Sequence, residues 1–292
     1  MATSGTTKRD RREEAREHAR LLREAEAKKR RRNRAFLQGG IIVGVLAITA
    51  VVLLVVTSLV RPPSPGPLNM LSDGIKFTAG SAGMQTVETA AIPVDGEPVP
   101  TVQPETGPVS IVTYLDYQCP YCAQFEKTNG QQIVQWVAGG IATLEVHPVA
   151  ILDNASMGTR YSSRAANAVA CVANFQQDEF YLASTALFAS QPEEATSGLT
   201  NDEIVSIVES AGANDPAVAQ CIRDETFKSW VTDATQRTKN PLPNSAQPLL
   251  ARTPTVLVNG QLYTGSPSDP QEFLQFVGAI SDAANATVDP EG

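Results

Sequence analysis

Four cysteines occur in the 292-residue sequence, and two of them, Cys119 and Cys122, bracket only Pro120 and Tyr121. Two thiols at this spacing have three chemical uses: half of a zinc site, an inert cross-link, or a pair that opens and closes by exchange with other thiols. Zinc needs two further ligands, yet there is no second Cys-x-x-Cys and His147 is the only histidine beyond the N-terminal head. An inert bridge over so short a loop adds little stability. Position favours exchange. Proline suits the first residue of a helix, where its missing N–H costs nothing. Cys119 then becomes the N-cap, with the amides of Tyr121 and Cys122 facing its sulfur. Those donors and the helix dipole stabilise a thiolate, lowering its pKa below the free value of ~8.5. Cys122, one turn inside, is expected to be shielded and to act as the resolving thiol.

Cys171 and Cys221 fall in two separate helical segments. A bridge between them closes a loop of about fifty residues and contributes roughly 4 kcal/mol in the chain-entropy model. A structural disulfide is the expectation here, with two free buried thiols as the next option and a second redox centre as the third.

The elements that must position these residues follow from periodicity. Val109–Tyr117 is β-branched and aromatic enough for a buried strand. A helix from Pro120 to about Val137 ends at Gly139-Gly140, and Ile141–Ile151 reads as the next strand, interrupted by Pro148. Helical periodicity then dominates an insertion at about 155–236, in segments 160–175, 178–190, 201–211 and 215–237. Thr255–Asn259 and Gln261–Gly265 flank Asn259-Gly260, a strong hairpin signal, and a last helix runs from about Ser268 to Ala284. The order is β-α-β, a helical insertion, then β-β-α, with no internal repeat.

Charge and hydropathy divide the chain further. Residues 1–35 carry 13 Lys/Arg against 6 Asp/Glu, whereas the rest carries 10 against 25, within a net charge of −8. Between them Ile41–Val60 is twenty residues without a charge, long enough to span ~30 Å of hydrocarbon as a helix. The expected organisation is therefore a cytoplasmic basic charged helix at 1–35 and a transmembrane signal anchor at 36–60. A Pro/Gly-rich linker with possible edge strands at 61–107, a folded domain at 108–284 and a tail at 285–292 follow. Lys28–Arg32 and Arg34 before the apolar run place the N-terminus in the cytoplasm by the positive-inside rule, and the domain outside, where disulfides persist. A cleaved signal peptide is the rival, but no small-residue cleavage site follows the run. The head, with pairs such as Glu24–Lys28 and Glu26–Arg30, is expected to meet anionic membrane lipids. The acidic body excludes nucleic acid as a partner.

The stretches Tyr114-Leu115-Asp116-Tyr117-Gln118-Cys119-Pro120-Tyr121-Cys122, His147-Pro148-Val149-Ala150, Thr253-Pro254-Thr255 and Val258-Asn259-Gly260 resemble the DsbA-like group of the thioredoxin superfamily. The resemblance covers about residues 108–284. It implies an α/β, thioredoxin-like fold with an inserted helical domain, here preceded by a single transmembrane helix. It implies catalysis by Cys119 and Cys122, with Pro120, Tyr121, Thr253 and Pro254 forming the active and substrate-binding site, and no cofactor or metal. The Thr253–Pro254 bond is expected to be cis on the same ground, against a plain trans proline at a strand start. In such proteins this loop offers backbone groups to an extended substrate.

Two departures matter. Strongly oxidising members carry Pro-His where this chain has Pro120-Tyr121, so an imidazolium is missing. Many relatives place a buried acid six residues before the first cysteine, where this chain has Thr113. Asp116 is the nearest carboxylate, either a proton relay to Cys122 or a solvated residue at a strand end. The Pro-rich stretch Lys239–Arg252 reads as a surface loop, a lid or part of a groove. The implied activity is oxidation of cysteine pairs in exported proteins, with reoxidation by a quinone-linked membrane partner of the DsbB or vitamin K epoxide reductase-like kind. A reductase or isomerase kept reduced by a membrane carrier, and a non-catalytic peptide-binding module, are the alternatives.

Overall fold

The structure, a computed structural model, describes residues 20, 23–24, 28–31, 47–49, 51, 64–103 and 106–286. The chain divides into two units, Met1–Pro62 and Pro63–Gly292. In the first, the described residues are helical and Arg20 pairs with Glu24 at 3.0 Å. Of the apolar run at 41–60, only residues 47–49 and 51 are described, and they are helical and exposed. The rest of the expected anchor, most of the charged head and the 287–292 end of the tail lie outside the described residues. Among the described residues no helix is long and apolar enough to cross a membrane.

The second unit is built on a mixed six-stranded sheet. Its strands are β1 (Ile75–Gly80), β2 (Gly83–Thr86), β3 (Val109–Leu115), β4 (Ala142–Pro148), β5 (Thr255–Val258) and β6 (Gln261–Leu262), in the spatial order β2-β1-β4-β3-β5-β6. Only β3 and β4 are parallel, joined through helix α1 (Pro120–Ala138) as a βαβ unit; the other pairings are antiparallel. β3 lies between β4 and β5 and is buried on both faces, which is why it reads as a nearly continuous apolar run rather than an alternation. Ile111 and Leu115 join the main core on one face, while Val112 and Tyr114 meet Val149, Leu242 and Leu257 on the other.

The helical insertion comprises α2 (Tyr161–Phe175), α3 (Phe180–Ala189), α4 (Asn201–Ser210), α5 (Pro216–Asp224) and α6 (Lys228–Arg237), and α7 (Pro270–Ala286) follows β6. Two of the starts are explained locally. Thr200 and Glu203 close a capping box on α4, and Asp215 caps α5 with Pro216 behind it. The segment 215–237 is two helices rather than one. Glu225 takes a left-handed conformation (φ 48°), and Thr226 N–H donates to Cys221 C=O, closing α5 as a Schellman turn without a glycine to announce it.

Three further departures from the sequence reading have physical causes. β4 stops at Pro148, which has no N–H to continue the ladder. β1 is an interior strand rather than an edge strand in a linker. Ile75 and Phe77 point into the core opposite Val146 and Leu144, and Met70 and Ile92 are buried beside them. The Pro-rich 239–252 stretch covers the second sheet face, burying Leu242 against Val112 and Tyr114. The hairpin at Asn259-Gly260 has both residues at positive φ (46° and 76°), the signature of a type I′ turn. Gly260 has a second constraint, since a Cβ there would lie 2.2 Å from the Asn244 carbonyl oxygen of that covering stretch.

Candidate active site

β3 delivers the chain to the site, and α1 begins there. Asp116 C=O accepts from Cys119 N–H at 3.0 Å, turning the backbone, and Cys119 becomes the N-cap of α1 with Pro120 as its first residue. Cys119 C=O in turn accepts from Cys122 N–H at 3.0 Å and Ala123 N–H at 3.2 Å. The two sulfurs are free thiols, Cys119 4% exposed and Cys122 fully buried. Tyr121, between them, is 63% exposed and stands at the surface.

Their environments push the two thiols apart. A hydrogen bond from the Cys122 thiol lowers Cys119 most, and burial opposes it. A hydrogen bond from the Thr253 side chain and the N–H groups of Cys122 and Tyr121 bring its pKa to about 6. Cys122 is driven well above the ordinary thiol value by burial, by its bond to Cys119 and by the charges of Cys119 and Asp116, with the Asp116 N–H a smaller opposing influence. The proton of the pair therefore resides on Cys122, and Cys119 is the nucleophile and the better leaving group. When protonated, Cys119 Sγ donates to the Thr253 carbonyl at 3.2 Å.

Thr253 and Pro254 stand against the pair at the head of β5, and the peptide bond between them is cis. Thr255 Oγ donates to Arg252 C=O at 2.7 Å, fixing this turn from behind. Beside it opens a groove of about 430 Å³ whose walls include Tyr121, Phe125, Pro254 and Tyr263.

Asp116 is fully buried, so it is not a solvated strand-end residue. Burial raises its pKa to about 6 against three donors: Ser162 Oγ at 2.6 Å, Gln118 N–H at 2.9 Å and Leu152 N–H at 2.9 Å. Cys171 and Cys221 are bonded to each other across α2 and α5, with Cα atoms 5.8 Å apart, and take no part in this site.

Two residues at the site have no counterpart in the sequence reading. Gln191 Nε2, just past α3, donates to the carbonyls of Tyr117 at 2.9 Å and Cys119 at 3.0 Å, tying the redox turn to the insertion. No local pattern signals such a clamp, because its partners are backbone atoms more than seventy residues away. Glu126 lies one turn beyond Cys122 on the same buried face of α1, and burial alone raises its pKa to about 7. It accepts no hydrogen bond from the described residues. Its signal was present: Cys122, Phe125, Glu126, Asn129 and Ile133 follow the i, i+3, i+4 spacing of an inward face.

A family profile described as Thioredoxin matches residues 104–279. Over 120 residues the chain is 32% identical to the serine/threonine-protein kinase PknE of Mycobacterium tuberculosis; the matched stretch is 40% of this chain but only 21% of that protein's length. Among solved structures, the fold is similar to reduced DsbG of M. tuberculosis, with 28% identity, a TM-score of 0.50, and coverage of 61% of this chain and 84% of that one. It is likewise similar to reduced DsbA of M. tuberculosis, with 26% identity, a TM-score of 0.53, and coverage of 74% and 98%. BdbD of Bacillus subtilis, 17% identical with a TM-score of 0.53 over 76% of this chain and 100% of that one, shares the fold. With its sheet order, helical insertion and helix-start cysteine pair, and with a family match over more than half its length, this chain belongs to the thioredoxin superfamily, in the DsbA-like group.

Proposed function

We propose that this chain is an extracytoplasmic thiol–disulfide oxidoreductase that oxidises cysteine pairs in exported proteins. The observation that carries the reading is the split between the two thiols, Cys119 held down to about 6 and Cys122 held well above the ordinary value. A stabilised thiolate favours the reduced pair, so the oxidised pair gives up its disulfide readily. In the forward reaction a substrate thiolate attacks Cys119 Sγ of the Cys119–Cys122 disulfide, and Cys122 leaves and takes a proton. The substrate's second thiolate then attacks its own bridged sulfur, expelling Cys119 as thiolate. Two electrons pass from the substrate to the pair, and the substrate gains one disulfide.

Asp116 is assigned the proton exchange with Cys122, since its charge bears on that thiol and its pKa near 6 lets it take up and release a proton around neutrality. Pro120, Tyr121, Thr253 and Pro254 frame the surface on which the substrate lies. The pair is returned to the disulfide by an electron acceptor in the membrane, which the resemblance suggests is quinone-linked. The compartment is part of the proposal. The uncharged run at 41–60 and the cations before it support a single-pass anchor with the domain outside, and the Cys171–Cys221 disulfide fits an oxidising space.

The reductase or isomerase reading draws on one observation, the neutral Tyr121 where a cation would further stabilise the Cys119 thiolate. The reduction potential of the pair, equilibrated against glutathione buffers, separates the two. A value of ~−120 to −180 mV supports a disulfide donor, whereas one near ~−270 mV overturns that reading in favour of a reductase.

A further inference from the structure

The groove beside Cys119 is built of aromatic and small side chains with a single formal charge among them, that of Arg252. Arg252 is exposed, and among the described residues its guanidinium has neither a carboxylate partner nor a hydrogen-bond acceptor. The other described arginines of this unit, Arg160, Arg164, Arg223 and Arg237, each have a carboxylate or hydrogen-bond partner. Carboxylates of the other sign stand behind the lining residues Tyr263 and Gly265. Glu272 accepts from Ser266 N–H at 2.8 Å, next to the lining residue Gly265, and the charges of Glu272 and Asp269 both bear on Tyr263.

Arg252 is also fixed relative to the reacting sulfur. It directly precedes Thr253, whose carbonyl is 3.2 Å from Cys119 Sγ, and its own carbonyl is held by Thr255. An extended segment lying along this turn advances ~3.3 Å per residue. With its cysteine at Cys119, the residue one or two positions away comes within reach of the guanidinium. We infer that Arg252 is a specificity-determining residue, selecting substrate segments with an aspartate or glutamate one or two positions from the reacting cysteine. The inference rests on the exchange reading of Cys119. The aromatic walls take a neighbouring apolar side chain, and the charges of Glu272 and Asp269 disfavour a second carboxylate beside Tyr263.

The test uses the oxidised full chain and two dithiol peptides that differ only in Asp or Lys beside the reacting cysteine. The ratio of their oxidation rate constants is measured for wild type, Arg252→Lys and Arg252→Glu. The expected wild-type ratio favours the Asp peptide about tenfold at low salt and shrinks as salt screens the pair. Arg252→Lys should keep the preference and Arg252→Glu should invert it. A wild-type ratio near one, or a ratio that Arg252→Glu leaves in place, overturns the inference. Dithiothreitol, which carries no charge, tests the underlying reading separately on the wild type. If dithiothreitol is oxidised while the peptide ratio is flat, only the role of Arg252 fails. If neither dithiothreitol nor peptide is oxidised, the exchange reading fails as well.

Discussion

The chain contains two cysteine pairs, and their difference shows how context alone sets what a thiol does. Cys171 and Cys221 sit in the middle and near the end of two packed helices, both buried, and are bonded to each other. Among the described residues the polar contact recorded at these sulfurs is a weak one, from Asn167 Nδ2 to Cys171 Sγ at 3.8 Å. Cys119 and Cys122 sit at the start of a helix. One sulfur faces the N–H groups of Tyr121 and Cys122 and the Thr253 turn, while the other is buried behind it near Asp116. A bridge across a long loop restricts the unfolded chain; a pair at a helix start divides one proton unequally. The first is an investment in stability and the second in reactivity.

The sharpest way to break this contrast is to exchange the roles by mutation. Cys119→Ser should abolish thiol exchange, as read by oxidation of a model dithiol. Cys171→Ala with Cys221→Ala should instead lower folding stability by about 4 kcal/mol in a denaturant titration. The folded fraction of that double variant should still exchange. If exchange were lost there while the fold persisted, the second pair would be part of the chemistry and the contrast would collapse.

A slightly smaller effect tests the buried acid behind the reactive pair. Glu126 has a folded pKa of about 7 against an ordinary 4.5, so the folded state binds the proton more tightly. Its contribution is complete below about 4.5 and is lost as pH rises towards 7, a fall of about 3 kcal/mol. Asp116, raised to about 6, adds a fall of the same sign at lower pH. Glu126→Gln should flatten the stability profile between about pH 6 and 7, where Glu126 dominates. An unchanged slope in urea titrations across that window would refute the assignment.

For the Cys119 thiol the sign is opposite. Cys119 is lowered from 9.0 to about 6, so it stabilises the reduced protein increasingly as pH rises from 6 towards 9 and loses that contribution as pH falls through 6. Alkylation of the reduced chain should show one midpoint near pH 6, confined to Cys119 by peptide mapping. A midpoint near the ordinary thiol value would remove the split on which the proposed function stands. The smallest expected change comes from Tyr121→His. An imidazolium at this exposed position should move the alkylation midpoint down by roughly half a unit, since solvent screens a surface charge.

Much of this architecture was legible because it rests on short-range rules. Pro120 after a β-branched run announces a helix start, Asn259-Gly260 announces a hairpin, and Gly139-Gly140 ends α1 with Gly140 at positive φ. What escaped was non-local. The interior place of β1 depends on two core residues, Ile75 and Phe77, in a strand of 6 residues, too few for an alternation to stand out. The break at Glu225 has no glycine or proline to mark it. The burial of Asp116 was undecidable from its own neighbours, because Ser162 and Leu152 reach it from a distant part of the chain. His147 was legible as a strand residue and as part of the His147–Ala150 stretch, but its partner was not. In the fold it pairs with buried Glu145 at 3.1 Å and, together with Ser72 and Thr101, overcomes the effect of burial to hold that carboxylate down to about 2.

The placement of β1 bears on how this protein can be cut. Asp73, just before it, is clasped by Arg237 at 2.6 Å and by Trp230 Nε1 at 3.1 Å, anchoring the preceding segment to α6. A fragment started at residue 108 would keep every cysteine and the whole redox turn, yet it would strip β1 from β4. The bare β4 edge, with Leu144 and Val146 beside it, would then be a template for strand addition between molecules. Such a fragment should aggregate although its active centre is complete, and the shortest soluble form should begin near residue 64.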